Sequence, residues 1–114
     1  MARKRISREK YRAMRRAIVK ADLIAGKYIA KNGEQVCALG ALALEAGVPP
    51  TVLRASNSVA IYRRPSVSRI IENKFGLTEA EQLQLQHAND SFAKQTPRKD
   101  RVLTNLKRIY EDAD

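Results

Sequence analysis

The stretch Ala38-Leu39-Gly40-Ala41-Leu42-Ala43-Leu44-Glu45-Ala46-Gly47-Val48-Pro49-Pro50 sets the character of the chain. It is rich in Ala and Leu, both strong helix formers, and Glu45 is its one charged side chain. A helix that is apolar all round has to be buried. Gly47 suits a left-handed stop, and Pro49 and Pro50 cannot continue the helix. The stretch therefore predicts a central core helix over residues 38–46.

Towards the N-terminus, Tyr11, Met14, Ile18, Ala21, Ala25 and Tyr28 recur at spacings of three and four, one apolar stripe along a single long helix that Ser7 can cap. Arg8, Arg12, Arg15 and Arg16 fall on the opposite side of its first half. Basic groups near a helix N-terminus oppose the macrodipole, so this end is expected to fray until a partner supplies negative charge. Between Tyr28 and Cys37, Asn32-Gly33 suits a tight turn between two short extended segments. Towards the C-terminus, a short helix is expected over 51–55 and another over 66–75, stopped by Gly76. Thr78-Glu79-Ala80-Glu81 is a capping box that opens a helix to about His87, and a last helix spans about 100–111. Residues 56–65 stay open between strand and loop.

The expected fold is a mainly α, compact single-domain helical bundle of about five helices, with room for one small β-hairpin and a protruding basic N-terminal helix. Residues 1–16 form the partly exposed arm and 17–114 the globular body. A chain of 114 residues without tryptophan and with only two phenylalanines has room for one modest core of aliphatic side chains. No segment resembles a secretory signal or a membrane span of about 20 apolar residues, so a soluble, cytoplasmic protein is expected. The Arg-rich, acid-poor start is shared with mitochondrial transit peptides, but the helical periodicity continues beyond it.

The formal charge of +10 is concentrated at one end. Residues 1–20 hold nine basic side chains against Glu9 alone, whereas the other 94 carry 13 basic and 11 acidic groups. Such an end attracts phosphate-bearing partners through counterion release. The candidate phosphate contacts are Arg3, Lys4, Arg5, Arg8, Arg12, Arg15 and Arg16, with Arg63, Arg64, Arg98 and Lys99 in two further basic groups. Tyr11, Tyr28, Tyr62 and Tyr110 could stack on unpaired bases, although packing suits all but Tyr62 better.

Two resemblances add to this reading. Residues 42–54, with Ala43, Gly47, Val48 and Leu53 at the matching positions, resemble a helix-turn-helix of the phage-repressor class. That resemblance nominates Thr51, Arg54 and Asn57 as base readers. The order Cys37-Ala38-Leu39-Gly40-Ala41-Leu42, Phe75-Gly76-Leu77-Thr78, Asn89-Asp90 and Arg101 is similar to small phage and actinobacterial proteins with a Cys-x-x-Gly-Ala-Leu motif and a later Asn-Asp pair. It implies a helical unit in which Cys37, Gly40 and the Asn-Asp turn lie close together, and a viral or mobile-element origin.

Catalysis is not expected. Cys37, His87 and Asn89 follow the order of papain-like hydrolases, but His87 and Asn89 are two residues apart and no oxyanion-forming sequence accompanies Cys37. A buried core thiol is the alternative. One cysteine and one histidine cannot make a Cys/His zinc site, and there is no Gly-rich phosphate loop or dinucleotide fingerprint, so neither metal nor cofactor is expected. The expected function is a nucleic-acid-binding accessory protein of viral type, present in the host-cell cytoplasm. The alternatives are an interaction module docking on an acidic surface of a host enzyme or defence complex, and a self-assembling component.

Overall fold

A computed structural model describes residues 5–31, 33–56, 65–91 and 96–113, apart from the side chains of Ser56, Pro65 and Ser66. Within them the chain forms six helices: α1 (Arg8–Lys20), α2 (Ala38–Glu45), α3 (Pro50–Ser56), α4 (Pro65–Phe75), α5 (Glu79–Asp90) and α6 (Arg98–Asp112). A minimal sheet of β1 (Asp22–Leu23) and β2 (Gln35–Val36) joins α1 to α2. The radius of gyration, 13.2 Å, is that of a packed domain of this length. The mainly helical expectation is met. No helix among the described residues is long and apolar enough to cross a membrane.

Helix α2 is the centre of the bundle, as its composition requires. Residues 38–43 are all buried, and the helix touches α1, α3, α4 and α5. Burial creates a difficulty at its N-terminus, because the first amides of a helix have no partner within it. Two side chains answer it. Cys37 is the N-cap and its Sγ accepts from Gly40 N at 3.3 Å, while Asn89 Oδ1 accepts from Ala38 N at 3.0 Å. Gly40 is required here for space: a Cβ would stand 1.9 Å from the carbonyl oxygen of Tyr28. Cys37, Gly40 and the Asn89-Asp90 pair thus do lie together.

The first helix is shorter than its periodicity predicts. It ends at Lys20, and Ala21 is already extended, at φ −81° and ψ 149°. The backbone beyond is captured by distant groups: Asn89 Nδ2 donates to Ile24 O at 2.8 Å, and Asp90 Oδ1 accepts from Gly26 N at 3.1 Å. Asp22 and Leu23 pair in parallel with Gln35 and Val36. Gly33, at φ +76°, donates its N–H to Ala30 O, and among the described residues only the isolated bridge Ile29–Val36 is antiparallel. The expected hairpin is therefore a single bridge beside a parallel pair. Asn32 and residues 57–64 of the open 56–65 segment lie outside the described residues.

The N-terminal end of α1 is moored. Ile6 is fully buried, and Ser7 Oγ caps the helix by accepting from Lys10 N at 3.1 Å. Arg5 forks onto Glu81, with contacts of 2.5 and 2.8 Å, and its Nη1 also donates to Gly76 O. Burying Ile6 contributes roughly 1.5–3 kcal/mol, whereas each misplaced cation near the helix start costs about 0.3–1 kcal/mol. Mooring therefore opposes the fraying expected from charge alone. Gly76 ends α4 at φ +79° and leaves room for the Arg5 backbone, since a Cβ would lie 2.6 Å from Arg5 O. The capping box at Thr78 and Glu81 forms as predicted, so Glu81 serves both the helix and the mooring.

Replacing Asn89 with Ala removes both of its backbone partners and leaves buried amide and carbonyl groups unpaired, and should cost about 3 kcal/mol in chemical denaturation. Asn89→Asp keeps an acceptor for Ala38 N but sets a buried carboxylate oxygen against Ile24 O and Asp90 Oδ1, the two groups to which Asn89 Nδ2 donates, and should be at least as damaging near neutrality. Burial works against the Glu81 carboxylate, but hydrogen bonds from Arg5 and Thr78 and the charge of Arg5 outweigh it and hold its pKa below the ordinary value. Its folded pKa lies below the unfolded one, so its stabilisation is complete above an unfolded pKa of about 4.3 and lost as the pH falls through the folded pKa. The stability gap between wild type and Glu81→Gln should accordingly be widest near neutrality and close in acid, as read by thermal denaturation.

Candidate nucleic-acid interface

Positions 8, 12, 15 and 16 of α1 fall within about 100° of one another around the helix axis. The structure leaves all four arginines exposed, while Met14, Ala17 and Ile18 enter the core. Among the described residues, no carboxylate lies within salt-bridge distance of Arg8, Arg12, Arg15 or Arg16; the two ion pairs found are Arg5–Glu81 and Lys20–Glu45.

Beside this face, α1 packs against α6, and Tyr11 stacks on Tyr110 with ring centroids 4.3 Å apart and planes 9° from parallel. A surface groove of about 550 Å³ is lined by Arg8, Tyr11, Arg12, Arg15 and Tyr110. Three cations and two phenol rings make a lining with no acidic side chain. The sequence places each tyrosine on an apolar stripe, but nothing in either stripe says that the two rings meet.

The other expected contacts are distributed differently. Arg5 is committed to Glu81 and Gly76, and the hydrogen bond to Glu81 raises its pKa further. Arg98 donates from Nε to Asn89 O at 2.7 Å and from Nη1 to Leu23 O at 3.3 Å. Lys99 reaches Val19 O at 2.7 Å, near the end of α1. Arg101 donates to Ala88, Ser91 and Thr96 carbonyls. These three cations close helix ends, where free carbonyls and the dipole favour positive charge. They are joined to backbone rather than presented with the α1 arginines. Arg3, Lys4, Tyr62, Arg63 and Arg64 lie outside the described residues.

The helix-turn-helix expectation concerns α2 and α3. Gly47 turns the chain at φ +98°, Val48 and Leu53 are buried, and Thr51 and Arg54 are exposed on α3. This second helix has seven residues and one basic side chain, and Asn57 lies outside the described residues.

The Cys, His, Asn order does not assemble into a reactive group. Cys37 is fully buried, and burial pushes its thiol pKa up to about 12 despite the amide of Gly40 on its sulfur. His87 is exposed and lines a groove between α5 and α6, whereas the Asn89 side chain is spent on Ala38 and Ile24. Among the described residues no group of three His, Cys, Asp or Glu side chains is placed to hold a metal ion.

No family model matches the chain, and neither the curated proteins nor the solved structures give a match.

A thiol held in this way should resist a thiol-specific reagent in the native protein at neutral pH and react fully once denaturant is added. Native-state modification at the rate of an exposed cysteine, followed by thiol titration, would contradict the burial of Cys37.

Proposed function

We propose that this protein is a nucleic-acid-binding accessory factor, not an enzyme, that holds phosphates on the outward face of its first helix. The observation that carries this reading is the set Arg8, Arg12, Arg15 and Arg16, exposed on one side of a moored helix with no carboxylate in range among the described residues. Arg3 and Lys4, a few positions ahead of this helix in the sequence, are proposed as further phosphate contacts, and Arg54, Arg63 and Arg64 as secondary ones. Arg5, Arg98 and Lys99 serve the fold instead, through the bonds described above. A viral type rests on the phage resemblance of the Cys37-to-Leu42 motif, and action in the host-cell cytoplasm follows from that. Base reading by Thr51 and Arg54 is a subsidiary element, because α3 offers a single cation.

A rigid row of arginines suits this task. The helix holds the stems of Arg8, Arg12 and Arg15 at intervals of roughly 4.5–6 Å along its axis, with Arg16 about 1.5 Å beyond Arg15, and each group can fork onto phosphate oxygens. Contacts of this kind give affinity and orientation without base selectivity. An acidic surface of a host protein would meet the same charges, and partners that survive nuclease treatment in a pull-down would favour that reading.

The protein should bind nucleic acid at low salt, with affinity falling steeply as salt rises. Replacing Arg8, Arg12, Arg15 and Arg16 together by Gln should reduce the slope of log K against log salt on duplex DNA by about 3 to 4, since each neutralised phosphate contributes about 0.9. An unchanged slope, or no binding by the wild type at low salt, would overturn the proposal.

A further inference from the structure

A surface that only collects phosphates treats paired and unpaired strands alike, but the groove between α1 and α6 has a second component. Tyr11 sits three residues after Arg8 and four before Arg15, the spacings at which helical side chains are neighbours, so a cation flanks the ring on either side. Tyr110, from the other helix, stacks face to face on Tyr11 at 4.3 Å, so each ring covers one face of the other and the pair can take a further ring only on an outer face of the stack. Both rings are half-buried, unlike Tyr28, which is buried in the core.

We propose that the Tyr11–Tyr110 pair is a base-stacking platform, and that the groove takes a single strand of nucleic acid, RNA or DNA, with a base continuing the stack on an outer ring face and flanking phosphates on Arg8, Arg12 and Arg15. This inference rests on the preceding reading and narrows its substrate class. Every base has a π face, and an aromatic surface bordered by cations accepts any unpaired base regardless of sequence. In a duplex those faces are already stacked on neighbouring bases, so the tyrosines have nothing to add. The groove, about 550 Å³, lies within the range that holds a small organic molecule, a size that suits a nucleotide unit. An acidic peptide would satisfy the arginines and make no use of the aromatic stack.

The test uses the full chain with short oligo(dT), oligo(U) and a duplex, followed by anisotropy of the labelled nucleic acid and by tyrosine emission, which no tryptophan masks. Single strands should bind several-fold more tightly than the duplex and quench the emission. Tyr110→Leu should weaken single-strand binding by about 5- to 100-fold and leave duplex binding unchanged. The Tyr11→Phe/Tyr110→Phe double variant keeps the rings and should keep the affinity while losing most of the quench, a readout that holds even if Tyr110→Leu fails to fold. Equal binding of single strands and duplex without quench overturns the platform alone, as does polyglutamate competing as well as oligo(dT). No binding to any of the three at low salt overturns the preceding reading as well.

Discussion

The rest of the fold depends on how the N-terminus of α2 is satisfied. This helix is apolar all round and sits in the centre of the bundle, so its leading amides cannot turn to water. Cys37 and Asn89 supply the missing acceptors, one from the preceding residue and one from the end of α5, 51 residues away. Asn89 also donates to Ile24, so one buried amide fixes α5, the start of α2 and the segment after α1 relative to each other. Gly40 completes the arrangement by letting the Tyr28 backbone lie directly on α2. The Cys-x-x-Gly and Asn-Asp elements are, in this chain, parts of one junction.

A second constraint acts at the other end of α5. The basic helix would be a poor helix on its own, with cations at the end where the dipole favours anions. Tertiary contacts at Ile6 and Arg5 hold it, and the acid that does so, Glu81, is itself fixed by the Thr78 capping box. The result is a row of arginines on a supported backbone. A ligand meeting that row has less ordering entropy to overcome than it would with a disordered tail.

The molecule also separates two uses of positive charge. Arg98, Lys99 and Arg101 neutralise carbonyls at helix ends, where they add to stability. Arg8, Arg12 and Arg15 face a groove with no acid in its lining and the stacked tyrosines beside them. Formal charge treats these groups as equivalent. What distinguishes them is whether a backbone acceptor is already within reach.

The sequence by itself determined the helical class, the buried α2, the capping box, the stops at Gly47 and Gly76, and the arginine face of α1. All of these follow from local propensity and periodicity, which act within a few residues. It could not place the end of α1, because the apolar spacing runs on through Ala21, Ala25 and Tyr28 without interruption. Only the tertiary structure decided that the chain leaves the helix at Lys20, since the groups that capture residues 22–26 come from β2 and the end of α5. The same holds for the groove, where Tyr11 and Tyr110 are 99 positions apart. Contacts of that range depend on how helices pack, and packing is set by all the faces together rather than by the pattern on any one of them.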